Sequence, residues 1–287
     1  MSAYERHAGA PGQVKEVTSL ANPLIKDIKA LALKKFRDQQ NAFMAEGLKL
    51  VIDALDLGWS IRTLVFAKAG RGNAAVEKVA ARTVAAGGTV LEVSEKVLVA
   101  ITRRDNPQMV VGVFSQKLLS LKDIRVEDSD VWVALDRVRD PGNLGTVIRT
   151  VDAVGARGVI LVGETTDPFS VETVRATMGS IFAVPVAKAS PEAFLAWRTS
   201  FPGLVAGTHL KGAVDYRSVD FSKGPVLLVM GNEQQGLPDE LAASCDKLLR
   251  IPQAGRADSL NLAVATGVML FEIRRDALKL GPEDARS

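Results

Sequence analysis

"DRVRDPGNLGTVIRTVDAVGARGVILVG", residues 136–163, joins a charged turn, an apolar helical pattern and a strand-like apolar run in one stretch. Leu144, Val147, Ile148, Val151 and Val154 fall on one face of a helix expected over residues 144–155. "GVILV" (158–162) follows it and "VWVAL" (131–135) precedes it. Strand, helix, strand is a βαβ unit, and uninterrupted apolar runs suit strands buried on both faces of a mostly parallel sheet. Working outward, "VLLVM" (226–230) and "KLLRI" (247–251) have the same character. Helical patterns at 171–179, 237–243 and 261–278 cover them, so residues 131–287 are expected to form an α/β domain.

Upstream lies a smaller α/β block over residues 17–118. Asn22 is placed as the cap and Pro23 as the first residue of a helix, with Leu24, Ile28, Leu31 and Ala32 as its apolar stripe. Strand-like runs begin at Thr63, Thr89 and Met109, with helical segments at 48–57 and 73–86 between them. The polar stretch at 119–130 is expected to be a linker, and residues 1–16 a disordered leader.

The 287 residues are 47% hydrophobic and 24% charged, an ordinary globular composition. One cysteine excludes an internal disulfide, and two histidines leave no zinc ligand set, so no metal is expected. No apolar run is long enough to span a membrane, and the opening "MSAYERHAGAPGQ" lacks a secretory apolar block. A reducing, cytoplasmic setting is therefore expected. The net charge of +3 does not by itself call for a nucleic-acid partner.

Ligands of open α/β sheets bind outside the carboxyl ends of the strands. Three such ends are unusual here: "DRVRDPGNLGTVIRT" after 135, "GNEQQGLP" after 230 and "PQAGRADSLNLAVATG" after 251. Each combines glycine, which permits close backbone approach, with a few polar side chains. Taken singly, each has a plain structural reading. Asn143 and Ser259 suit helix caps, Glu233 suits a position near a helix N-terminus, and Arg149 suits a solvated helix back. Against these stands a functional reading, in which Arg149 is a cation aimed at a phosphate or a reacting group. GxGxxG, GxxxxGK[ST] and GxSxG are all absent, which disfavours a Rossmann nucleotide site, a P-loop and a nucleophile elbow.

As a set, "DPGNLGTVIRTVDAVG" (140–155), "VMGNEQQGLP" (229–238) and "IPQAGRADSLNLAVATG" (251–267) resemble the three motifs of the SpoU/TrmH family of RNA 2′-O-ribose methyltransferases, in the SPOUT superfamily. "TSLANPLIKDIKALALKKFRDQQNAFMAEG" (18–47) is similar to the opening of that family's N-terminal substrate-binding domain, itself similar to small ribosomal RNA-binding proteins. The resemblance covers most of residues 17–280. Gln234 stands where the second motif commonly has glycine, and Asp258 where the third commonly has glutamate.

This resemblance implies a SPOUT-type trefoil knot over about residues 204–267, an exception to the rule that chains avoid knots. It implies a homodimer whose active site borrows residues from both subunits, and S-adenosylmethionine held largely by backbone groups at Gly231, Ile251 and Leu260, with Thr208. It assigns the reaction centre to Asn143 and Arg149, supported by Glu233, Ser259 and Asn261. A guanidinium keeps its proton at neutral pH, so Arg149 is expected to clamp an RNA phosphate or the developing alkoxide rather than act as a base. RNA contacts are expected from the first block: Lys26, Lys29, Lys34, Lys35 and Arg37, with Arg103 and Arg104 as a second group. Ribosomal RNA is the expected substrate. Transfer RNA, or a non-catalytic RNA-binding or ribosome-assembly role, is the alternative.

Overall fold

In chain order, strand β1 (Gln13–Val17) precedes helices α1 (Pro23–Ala30) and α2 (Lys34–Gln40), strand β2 (Ala42–Glu46) and helix α3 (Leu48–Asp56). Then come β3 (Ile61–Ala67), α4 (Ala74–Ala85), β4 (Thr89–Val93), α5 (Glu95–Thr102) and β5 (Val110–Ser115). The chain continues through β6 (Val131–Asp136), α6 (Pro141–Ala153), β7 (Gly158–Val162), α7 (Val171–Ala176), β8 (Val186–Ala189) and α8 (Pro191–Arg198). It closes with β9 (Leu204–Thr208), β10 (Val214–Asp215), β11 (Val226–Met230), α9 (Asp239–Ala243), β12 (Lys247–Arg250) and α10 (Leu262–Ile273). This computed structural model describes residues 12–209 and 213–279.

By its own contacts the chain divides into two compact units, the first running to Lys117 and taking in Asp167–Ala183, the second made of the rest. The first unit is built on a five-stranded mixed sheet of order β1-β4-β3-β5-β2. Helix α1 starts where its chemistry dictates: the Asn22 side chain accepts the Leu24 N–H at 2.9 Å and Pro23 opens the first turn. Ile25, Ile28 and Leu31 then bury against Val65, Leu91 and Val113 of the sheet.

A second, aromatic layer explains why Asp167–Ala183 packs here. Phe43 lies 4.7 Å from Phe169 and Phe114 lies 5.0 Å from Phe182, ring centre to ring centre. The Trp59 indole N–H donates to the Phe182 carbonyl at 2.8 Å, so its one polar atom is satisfied within the apolar layer. Helix α7 runs along β2.

Two sequence expectations meet a different structure. The leader expected through residue 16 instead enters strand β1, paired in parallel with β4 from Gln13↔Thr89 to Val17↔Val93. This is an edge strand with only Val17 buried, so it has almost no apolar alternation to betray it; residues 1–11 lie outside the described residues. The stretch expected to be a linker is packed: Leu119 bridges to Ala187, while Ile124 joins the second unit's core with Leu121 and Val126 against it.

The second unit carries a seven-stranded sheet of order β10-β12-β9-β11-β6-β7-β8, parallel at every described pairing. β6, β7 and β11 are buried along their whole length, as uninterrupted apolar runs require. From β6 the chain moves through α6 to β7 on one side; from β11 it moves through α9 to β12 on the other. β6 and β11 are neighbours, with Leu135 paired to Met230 at their carboxyl ends. The sheet therefore reverses its winding between them, which is where open α/β sheets bind ligands. No helix among the described residues is long and apolar enough to cross a membrane.

Candidate active site

Asp140, not Asn143, caps α6. Its carboxylate accepts the Asn143 N–H at 2.6 Å and Pro141 follows it at the first helical position. The cap reading of Asn143 is thereby corrected: Asp-Pro is the stronger start signal, and it shifts the helix three residues earlier than the apolar stripe alone suggests. The Asn143 amide is left free to face outward from the first helical turn.

It is used at both ends. Asn143 Nδ2 donates to Glu233 Oε1 at 3.2 Å, and Asn143 Oδ1 accepts from Asn261 Nδ2 at 2.9 Å. Asn261 is itself the cap of α10, its Oδ1 accepting the Ala263 N–H at 2.9 Å, so the cap expected of Ser259 belongs two residues later. One hydrogen-bonded line thus runs Asn261–Asn143–Glu233 through all three loops. Ser259 is exposed and outside it.

The second loop is a narrow hairpin rather than a helix start. Asn232 and Gly236 exchange backbone hydrogen bonds at 3.0 and 2.9 Å, and the next helix begins only at Asp239. A Cβ on Gly231 would stand 2.2 Å from the Gly236 carbon and the Leu237 nitrogen, so glycine is the residue that lets the two limbs close. Gly236 turns the hairpin at φ +69°. Asn232 Nδ2 donates to the Arg137 carbonyl at 2.8 Å, tying this loop to the first.

Arg137 sits directly after β6 in the left-handed region, at φ +46°. That conformation is uncommon for a residue with a Cβ, and here its neighbours hold it. Its N–H donates to the Val162 carbonyl at 2.9 Å, its Nε to Asp136 at 2.9 Å, and its Nη1 to Gln235 at 3.2 Å. Asp136 is buried, which pushes its carboxyl above the ordinary value, and the Arg137 guanidinium opposes that shift.

Between these loops opens a cavity of about 400 Å³. Asn143, Glu233 and Asn261 line it, and so do Arg139, Asp140, Asn232 and Gln234, none of which the sequence marked as a site residue. Arg149 does not line it: it is exposed on α6 and makes no described hydrogen bond or ion pair. Gly231 is buried beneath the hairpin, and Thr208 ends β9 with its hydroxyl donating to the Met230 sulfur at 3.6 Å. Ile251 is half-buried and Leu260 exposed at the two ends of the third loop. Between them no backbone N–H or carbonyl of residues 251–260 is used by a described hydrogen bond. A run of free backbone donors and acceptors flanked by apolar side chains fits a ligand held mainly by main-chain groups.

In the first unit, Lys26, Lys34, Lys35, Arg103 and Arg104 are exposed and Lys29 is half-buried. Lys34 is paired with Asp38, and Arg104 lies 3.5 Å from Glu46. Arg37 leaves this group. It is 3% exposed, donates to Asp167 through Nε and Nη2 at 2.9 and 2.7 Å, and donates to the Leu31 carbonyl, so it holds the fold instead of facing solvent.

With this geometry in hand, comparison with known proteins is decisive. The model of the SpoU rRNA Methylase family matches residues 130–271, and that of the MRM3-like substrate binding domain matches residues 22–112. A Bacillus subtilis 23S rRNA (guanosine(2553)-2'-O)-methyltransferase is 31% identical over 264 residues, spanning 91% of this chain and 100% of that protein. The chain belongs to the SpoU rRNA methylase family. A 23S rRNA (uridine(2479)-2'-O)-methyltransferase of Streptomyces viridochromogenes is 32% identical to this SpoU-family chain over 257 residues, 84% of this chain and 85% of the relative. The crystal structure of an AdoMet-bound rRNA methyltransferase from Sinorhizobium meliloti superposes with a TM-score of 0.89 at 65% identity, covering 93% of this chain and 99% of that one. The α/β architecture with its mostly parallel sheet is thus the family's.

Proposed function

We propose that this chain methylates a ribose 2′-hydroxyl of ribosomal RNA with S-adenosylmethionine as donor. The observation that carries the reading is the Asn261–Asn143–Glu233 line at the reversal of a parallel sheet, in a chain whose family relatives are rRNA 2′-O-methyltransferases. When bound, S-adenosylmethionine supplies an electrophilic methyl carbon. The residues suited to hold it are Ile251 and Leu260 with the unused main-chain groups between them, Gly231 under the hairpin, and Thr208.

The chain's task is then alignment and charge. Asn143 and Asn261 are held by one another, so the groups facing the ribose are fixed before substrate arrives, and alignment is where such a reaction gains most. Glu233 orders the hairpin through Asn143 and Asn232, and we assign the exposed Ser259 of the third loop to the ribose. Arg149 supplies a fixed positive charge to the RNA phosphate or the developing alkoxide, and the proton passes to a phosphate oxygen or water.

Because Arg149 does not line its own chain's cavity, we assign it to the cavity of a second copy. Support comes from α10, which is apolar on every side: Leu262, Met269 and Leu270 are buried while Val264 and Phe271 are 54% and 55% exposed. A helix apolar all round calls for cover on both faces. It packs on α6, with Gly267 beside Thr150, next to Arg149. The strand order around β9, with β12 outside it and β11 inside, is compatible with a trefoil knot over about residues 204–267. The N-terminal block, over about residues 17–118, is assigned to RNA binding, with Lys26, Lys29, Lys35 and Arg103 as its available cations and the cytoplasm as the place of action.

Incubation of the protein with methyl-labelled S-adenosylmethionine and either unmodified 23S rRNA transcript or total transfer RNA tests the reading. Label is expected in the ribosomal RNA, resistant to alkaline cleavage at the modified nucleotide. Label in transfer RNA alone would move the target, and cofactor binding without transfer to either RNA would make the chain a scaffold.

A further inference from the structure

Two arginines flank the turn that follows β6, and they behave oppositely. Arg137 spends its guanidinium on Asp136 and Gln235. Arg139, two residues on, lines the cavity, is exposed, and makes no described hydrogen bond or ion pair. Two carboxylates, Asp140 and Glu233, line the cavity with it, and each has a described partner of its own. Asp140 caps α6 through Oδ1, and Glu233 receives Asn143 on one oxygen and Asn232 on the other. The remaining lining residues, Asn143, Asn232, Gln234 and Asn261, are uncharged amides. The cavity therefore has one cation with its fork of donors unspent.

A guanidinium fork matches a phosphate oxygen pair in geometry as well as charge. Given the RNA substrate argued above, on which this inference rests, the anion presented beside a ribose hydroxyl is the backbone phosphate. We propose that Arg139 is a substrate-binding residue that grips the phosphodiester next to the target ribose. It would set the register of the strand from its own chain's side of the cavity, apart from the charge that a second copy's Arg149 brings to the reacting group.

The test uses the full-length protein with Arg139→Gln, Arg139→Lys and Arg139→Glu, and unmodified 23S rRNA transcript as the probe. Arg139 makes no hydrogen bond or ion pair among the described residues, so thermal stability and S-adenosylmethionine affinity are expected to match the wild type in all three. For Arg139→Gln, RNA affinity and the apparent KM for RNA are expected to worsen about tenfold, with kcat little changed. The slope of log affinity against log salt is expected to fall by about 0.7 to 0.9, the loss of one phosphate contact. Arg139→Lys should restore the salt slope but not the full affinity, and Arg139→Glu should bind worst. An unchanged salt slope and RNA affinity in Arg139→Gln would overturn the proposal, as would a loss confined to S-adenosylmethionine affinity. If the wild type transferred no methyl group while these RNA-affinity differences persisted, the proposed reaction would fall and the phosphate contact would stand.

Discussion

Asn261 holds two jobs on one amide, and they can be separated. Its Oδ1 caps α10 while its Nδ2 donates to Asn143. Asn261→Ala removes both, and should cost about 1 kcal/mol of stability through the lost cap. Asn261→Asp keeps a good cap but cannot donate, since a carboxylate only accepts. It should unfold at the wild-type denaturant midpoint while methyl transfer falls about a hundredfold from misalignment. Equal activity in Asn261→Asp and wild type would show the Asn143 contact to be irrelevant to the reaction. Asp136 offers a second handle at this scale. Burial raises its carboxyl above the ordinary 3.8, so between that value and the raised one the folded state binds more protons than the unfolded. Stability from this group is therefore lost as pH rises through that window. Asp136→Asn lacks the titration, and its unfolding free energy should vary less across the window; parallel curves for the two proteins would refute the assignment.

At the scale of elements, what could be read in advance depended on how local the cause was. β7 and β11 were legible to the residue because a strand buried on both faces needs an uninterrupted apolar run. β2 (AFMAE) has no β-branched residue and β8 (VAKA) only Val186, and both are held by their neighbours, so no local pattern announced them. The three loops were visible as motifs, but their joining was not: Asn143 and Asn261 are 118 residues apart. Asp140 was the local clue, since Asp-Pro caps better than an asparagine two residues after the proline. The hairpin of the second loop yields a prediction of its own. Gly231→Ala must push apart the limbs joined at Asn232 and Gly236, because its Cβ would meet backbone at 2.2 Å. Backbone cannot swing aside as a side chain can. The variant should lose methyl transfer and S-adenosylmethionine affinity together, whereas Gly236→Ala, open around its Cβ but left-handed at φ +69°, should cost about 1 kcal/mol and keep part of the activity. Wild-type kinetics in Gly231→Ala would show that the hairpin opens without consequence.

For the whole molecule, the surprises were long-range pairings. Arg37 looked like one more cation on a basic helix, yet its partner Asp167 lies 130 residues on, and Phe169 and Phe182 travel with that segment into the first unit's aromatic layer. Charge and spacing carry no signal for such a pairing. The proposal that Arg149 works in a second copy's cavity belongs to the same scale. Its own cavity does not include it, and Val264 and Phe271 leave an apolar face of α10 exposed. If each active site takes Asn143 from one subunit and Arg149 from the other, then Asn143→Ala and Arg149→Ala homodimers are each inactive. Mixing and re-annealing the two variants places both lesions in one site of a mixed dimer and leaves its other site intact. About a quarter of wild-type activity should return, since about half the dimers are mixed and each has one sound site. Phe271→Asp should block the rescue by breaking the apolar contact, and sedimentation should show it as a monomer. Were Asn143 and Arg149 to act within one subunit, every mixed dimer would carry one defect in each site, and mixing would restore nothing.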